Sequence, residues 1–185
     1  MGKLGNIMLL VGVLLLSFSL YKVMQVSYLT ETGLVQAKDN MKREYLQRKE
    51  QFAPLKDEAI GILKIPKLDY ELPIYEGADE DSLEKGVGHY PATAFPGQGE
   101  QILLSGHRDT VFRKFGQLEE GDIFIVKMPY GTYEYTMKSS KIVDQYDRTI
   151  IKPAGKEELV LSTCYPFSYI GNAPDRYIIY ADPIQ

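Results

Sequence analysis

A single cysteine, Cys164, closes the run Leu159-Val160-Leu161-Ser162-Thr163 in a chain of 185 residues. The run reads as a strand with the thiol at its exit. One cysteine cannot form an internal disulfide, so the thiol is either an inert small hydrophobe or a reactive group. The thiolate is the attacking species, so a nucleophilic reading requires a base or a cation nearby. Two histidines are available. His107 follows Leu103-Leu104-Ser105-Gly106, where a strand gives way through a glycine to the polar turn Arg108-Asp109-Thr110. Such an exit can present an imidazole at the rim of a sheet. His89 lies in the two-glycine loop Gly86-Val87-Gly88-His89-Tyr90-Pro91. Either histidine alone could be structural; paired with a lone cysteine, the strand-exit position selects His107.

Arg176 opens another apolar run, Tyr177-Ile178-Ile179-Tyr180-Ala181. Side chains alternate along a strand, which puts Arg176 on the face of Ile178 and Tyr180. A permanent cation at that point is either a solvent contact at the rim or a cation of the site. Acyl transfer builds negative charge on a carbonyl oxygen, and a fixed fork of donors suits that charge. With reference pKa values of about 8.5 and 6.5, an unperturbed Cys–His pair at pH 7.5 is thiolate–imidazolium only about 1% of the time.

These residues need a scaffold at their backs. From Ala59 onward the sequence breaks into short strands punctuated by Gly and Pro. Ile60–Ile65 and Tyr70–Tyr75 flank the turn Pro66-Lys67-Leu68-Asp69. Ile102–Leu104, Asp122–Lys127, Thr132–Met137, Lys141–Val143, Glu158–Thr163 and Tyr177–Ala181 complete a set of about eight. Residues 79–85 predict a brief helix capped by Asp79 or Asp81. Few helices and no βαβ rhythm point to a closed antiparallel or mixed β-barrel, with a sandwich as the alternative. A net charge of −4 and a pI near 5.3 argue against a nucleic-acid binder.

The amino-terminal region has a different composition. Leu4 to Tyr21 carries no charge and is dominated by Leu, Val, Ile and Met. That length reaches the lower limit for crossing a hydrocarbon core, and continuing to Val26 gives a full span if Lys22 snorkels. A retained anchor is expected over residues 1–26, rather than a signal peptide cleaved at Ser17-Phe18-Ser19. Residues 27–54 read as a polar helical stalk holding the domain off the membrane. Leu34, Ala37, Met41, Tyr45 and Arg48 form a thin stripe along it, with Pro54 at its end. The stripe is too sparse for a sustained coiled coil. Residues 55–185 are then the folded domain.

Leu104-Ser105-Gly106-His107-Arg108-Asp109-Thr110, Leu161-Ser162-Thr163-Cys164 and the downstream Arg176 together resemble the signature segments of the sortase family. Sortases are membrane-anchored cysteine transpeptidases. The resemblance covers roughly residues 59–182, in the order His, Cys, Arg. Thr163-Cys164-Tyr165-Pro166-Phe167 followed by Ala173-Pro174-Asp175-Arg176-Tyr177 is most similar to class D.

The resemblance implies an eight-stranded β-barrel with short helices, behind a transmembrane helix and a stalk. Cys164 is then the nucleophile toward an LPxT-type sorting signal, His107 the proton carrier and Arg176 the oxyanion or backbone contact. Ser105 and Thr163, inside the same segments, are expected to contact substrate. Implied partners are proteins bearing C-terminal LPxT-type signals, with peptidoglycan or its lipid-linked precursor as amine acceptor. The domain would sit on the extracellular face, membrane-bound through residues 4–26. No cofactor is expected, and no metal, because the acidic calcium loop of some class A members has no counterpart. An L,D-transpeptidase-like enzyme is a rival, but it would place a histidine beside the nucleophile, where this chain has Ser162-Thr163. The other rival is a non-catalytic anchored β-domain that binds wall or protein ligands.

Overall fold

Ala59–Ile65 and Tyr70–Glu76 form the antiparallel pair β1–β2. In the computed structural model, which describes residues 2–44, 52–168, 171 and 173–184, this pair starts a closed barrel. The turn between them is a short 3-10 segment, Pro66–Leu68, ended by Asp69 in the left-handed region (φ 55°). Aspartate is among the few non-glycine residues that adopt that conformation readily. The other strands are β3 (Val87–His89), β4 (Gln101–Ser105), β5 (Ile123–Met128), β6 (Gly131–Asp144), β7 (Glu158–Tyr165) and β8 (Asp175–Pro183). Their order round the barrel is β1-β2-β3-β4-β7-β8-β6-β5. The β2–β3 and β4–β7 pairs are parallel and the rest antiparallel, and the closure of the sheet through β1–β5 removes the sandwich alternative.

The strand count matches the expectation of about eight, but two elements differ. Val87–His89 is a strand, where the sequence reads as loop. At Gly88 an added Cβ would fall 2.4 Å from the Gly77 carbonyl oxygen, so only glycine lets the chain pass there. Conversely, Thr132–Met137 and Lys141–Val143 belong to one long strand, β6, with a register shift between Met137 and Ser139. Lys138 is the extra residue at that bulge, and Ser139-Ser140 beyond it continue the ladder rather than break it.

Alternate apolar side chains fill the barrel. Leu63, Ile65, Ile74, Ile102, Leu104, Phe112, Phe115, Phe124, Tyr135, Leu159, Leu161 and Ile179 are all but inaccessible. Each such burial contributes about 1.5–3 kcal/mol. Tyr135 reaches a carboxylate with its hydroxyl, donating to Glu157 Oε1 at 2.7 Å. Burial and that carboxylate both push its phenol upward, so it stays a neutral donor.

The predicted short helix is α2, Glu80–Lys85, capped by Asp79, whose carboxylate accepts from Ser82 N at 3.3 Å. Ser82 Oγ and Lys85 Nζ both donate to Asp57 at 2.9 Å. Lys85 first, then Ser82, holds the Asp57 carboxyl below its ordinary value.

The segment read as an anchor runs without a break into the first part of the segment read as a stalk, as one helix, α1, Gly2–Glu44. Between residues 5 and 24 its apolar side chains are exposed almost all round, including Leu9, Leu16 and Phe18. A helix that is apolar on every side and unburied in protein is suited to lipid. It is long and apolar enough to cross a membrane.

The stretch read as a stalk packs against the barrel. Ala37 is buried against Ala59, Ile62 and Tyr75, with Leu34 and Met41 packed beside it. Asn40 Nδ2 donates to the Ala59 carbonyl at 2.9 Å. Gly33 lies so close to the Tyr75 ring and Pro73 that any side chain there would collide. The thin Leu34–Ala37–Met41 stripe is therefore a docking face; Tyr45 and Arg48 lie outside the described residues.

Candidate active site

Two parallel strands, β4 and β7, bring the candidate residues to one end of the barrel. Ser105 is in register with Ser162, and the Gly106 amide donates to the Ser162 carbonyl at 3.1 Å. One residue further, Thr163 Oγ1 donates to the Gly106 carbonyl at 2.7 Å. These two bonds lock the start of the His107 turn onto the strand that ends in Cys164. Gly106 is required by space, since a Cβ would lie 2.7–2.8 Å from Val111 and Phe112. The turn closes with the Phe112 amide on the His107 carbonyl at 3.0 Å.

On the other side β7 pairs with β8, and Cys164 stands directly opposite Arg176. Arg176 Nη1 donates to the carbonyls of Ala173 (3.2 Å) and Asp175 (2.9 Å). Its Nε and Nη2 have no such partner among the described residues. The guanidinium is thus fixed at one corner and has donors left over.

His107, Cys164 and Arg176 line one cleft of about 520 Å³, together with Arg108, Asp109, Gln145, Tyr146, Gly171 and Ala173. Cys164 is half-buried, as a thiol that must meet both solvent and substrate needs to be. Arg108 Nη2 donates to the Gly171 carbonyl at 2.7 Å, pinning the β7–β8 connection to the histidine turn. The Gln145 amide reaches the Pro174 carbonyl at 2.9 Å, which ties the β6–β7 connection to the same end. Sequence reasoning missed Arg108, Gln145 and Tyr146 as cleft residues. Arg108 adjoins His107 and could have been suspected, whereas Gln145 and Tyr146 arrive only through strand pairing.

Ser105 and Thr163 do not line the cleft. Thr163 is buried and spends its hydroxyl on Gly106, so its place is behind the site rather than against a ligand. Ser105 is half-buried in the β3–β4–β7 ladder. Among the described residues no three His, Cys, Asp or Glu side chains converge as metal ligands would.

The second histidine belongs to the core. His89 is 1% exposed, with Nδ1 2.7 Å from Glu76 Oε2 and Nε2 3.0 Å from the Ala94 carbonyl. Since a carbonyl only accepts, Nε2 carries a proton in that bond. Phe95 stacks on the ring with centroids 4.3 Å apart. Glu76→Ala is expected to strand a buried imidazole nitrogen and cost about 3 kcal/mol. The urea midpoint should fall accordingly while iodoacetamide alkylates Cys164 in the folded protein at the wild-type rate. An unchanged midpoint would contradict the structural role.

A sequence model of the sortase domain matches residues 63–184. Sortase D of Bacillus subtilis (strain 168) is 46% identical over 91% of this chain and 91% of its own length. The chain belongs to the sortase family. Sortases are membrane-associated cysteine transpeptidases, and the resemblance to sortase D supports class D within them. The solved catalytic domain of B. anthracis SrtD is 44% identical, with a TM-score of 0.62, covering 73% of this chain and 93% of that one. A Clostridium perfringens sortase D5 transpeptidase, 23% identical, shares the fold with a TM-score of 0.68 over 80% of this chain and 95% of that one. The eight-stranded barrel built above is thus the sortase barrel, and this sortase carries one cysteine with which to do the chemistry.

Proposed function

We propose that this sortase cleaves an LPxT-type sorting signal through a thioacyl-enzyme on Cys164 and passes the acyl group to a cell-wall peptidoglycan amine. The reading is carried by one observation: Cys164 and Arg176 are cross-strand neighbours in a cleft that also receives His107. Cys164 Sγ adds to the threonine carbonyl carbon, and the Thr–Gly or Thr–Ala C–N bond breaks. His107 gives its proton to the departing amine. The oxyanion formed on the way meets the spare donors of Arg176, a fixed charge where negative charge develops. An incoming amine then adds to the same carbon, its proton goes to His107, and the electron pair of the C–S bond returns to Cys164.

Ser105 and Thr163 act from behind, as the ladder and bolt that aim His107. Residues 4–26 cross the membrane and the barrel stands on the extracellular face. The substrates are proteins with C-terminal sorting signals of this type; peptidoglycan or its lipid-linked precursor supplies the amine.

Incubating the full chain in lipid nanodiscs with LPxTA or LPxTG peptides and a primary amine tests this. We expect a thioacyl adduct on Cys164 by mass spectrometry and a transfer product whose yield rises with amine concentration. Peptides left intact, with no adduct, would overturn the reading.

A further inference from the structure

Docking α1 on the barrel creates a second cavity, of about 410 Å³, that shares His107 and Asp109 with the thiol cleft. Its walls are the Lys22, Val26 and Leu29 face of α1, Glu80 and Glu84 of α2, and His107 with Asp109. His107 and Asp109 line both spaces, whereas Cys164 and Arg176 line only the first. The histidine turn therefore borders two spaces, an acyl side with Cys164 and a second side without it. The second side is built from the anchor helix itself, because residues 25, 26, 29, 30, 33 and 34 are the half-buried or buried positions along this stretch.

We infer that this second cavity is the acceptor site: it takes the primary amine that resolves the thioacyl-enzyme, and the anchor helix forms one of its walls. The inference rests on the transpeptidase reading above. Three observations converge on it. The resolving amine must bring its nitrogen to His107 without displacing the acyl chain from the cleft around Cys164, and this cavity offers a separate approach to the same imidazole. Its charge suits an ammonium ion, with Glu80, Glu84 and Asp109 against the single cation Lys22. None of those four forms an ion pair among the described residues. Val26 and Leu29 supply an apolar flank for the carbon chain that carries the amine.

Its height is also fixed. Lys22 is the first charged residue after the apolar run, and Leu29 lies seven residues on, about 10 Å higher at 1.5 Å per residue. The cavity therefore opens at the level where the helix leaves the hydrocarbon. An ammonium entering there loses one proton to solvent. As its nitrogen bonds to the thioacyl carbon, the second proton passes to His107 and the C–S bond breaks to regenerate the thiolate.

The test is the ratio of amide to hydrolysed acid formed from one LPxT peptide by the full chain in nanodiscs, as lysine amide is titrated. Because both products arise from the same thioacyl-enzyme, the ratio reports only on how the acceptor competes with water. Leu29→Trp, which fills the cavity, and Glu84→Lys, which inverts a wall charge, should each lower the ratio at least tenfold. Tyr28→Ala, on the exposed side of the same helix, should leave it unchanged. Lysine amide carried on a lipid anchor, run in parallel, separates a membrane-tethered acceptor from a soluble one. A normal adduct with an unchanged ratio in both cavity variants would overturn the acceptor site alone. No adduct in the wild type would overturn the transpeptidase reading and the inference with it.

Discussion

Cys164→Ala is expected to abolish both the thioacyl adduct and amine-dependent cleavage of an LPxT-type peptide, a loss on the order of 10⁴-fold or more. No other group can take its place, because the chain has no second thiol and the aliphatic hydroxyls that precede it in β7, Ser162 and Thr163, are both buried. The fold should be untouched. Cys164 sits at the half-buried end of β7, where removing one sulfur atom opens space toward the cleft rather than a void in the core. Unchanged circular dichroism and an unchanged denaturation midpoint would establish that. The alanine protein should still bind the peptide, since the cleft retains Arg176, Tyr146 and the loops that Arg108 and Gln145 hold in place. The rival reading, an anchored β-domain that merely binds ligands, predicts that wild type and variant behave alike in every assay. Peptide cleavage that survives the substitution would rule out covalent catalysis at this thiol.

What the sequence revealed of this site depended on how locally each feature is determined. The exits of β4 and β7 are written in apolar runs that stop at Ser105-Gly106 and at Cys164, so His107 and Cys164 were both readable as rim residues. That they share a rim is a matter of topology, fixed by the parallel β4–β7 pairing, and no local pattern encodes it. The setting of Thr163 was hidden for a related reason. Adjacent to the nucleophile, it resembles a substrate contact, yet alternation along the strand turns it inward to Gly106. β3 escaped notice because three residues around a glycine carry too little pattern to register as a strand. The helix stripe was visible but its partner was not. Leu34, Ala37 and Met41 predict a face wanting cover, and only the folded chain shows that β1 and β2 provide it.

That docking bears on how the enzyme meets its substrates. A free stalk would let the barrel sample many heights and tilts above the bilayer. A helix buried through Ala37, bonded through Asn40 and fitted at Gly33 to Tyr75 fixes the barrel to α1, and with α1 crossing the membrane as proposed it sets one orientation of cleft to membrane. Toward a substrate tethered in the same membrane, a cleft so fixed would avoid part of the orientational cost of each encounter.

Arg176→Lys keeps the charge and is nonetheless expected to lower kcat/KM by about 10²–10³-fold, the cost of losing an oxyanion donor. The reason lies in how the guanidinium divides its donors. Nη1 is committed to the carbonyls of Ala173 and Asp175, and this fixes the plane in which Nε and Nη2 present theirs. A lysine ammonium gathers all its donors on one atom at the end of a flexible stem. If that atom satisfies the carbonyls it leaves the oxyanion unmet; if it reaches into the cleft, the β7–β8 connection loses its tie and the charge is no longer held. The loss should fall on the formation and breakdown of the tetrahedral intermediate, so kcat drops more than peptide affinity. Because Cys164 itself is unaltered and faces the same cation charge, its alkylation by iodoacetamide should stay within about twofold of wild type. Near-normal turnover in Arg176→Lys would reduce Arg176 to a source of positive potential. A matched fall in alkylation and turnover would instead assign it to activating the thiol rather than to the oxyanion.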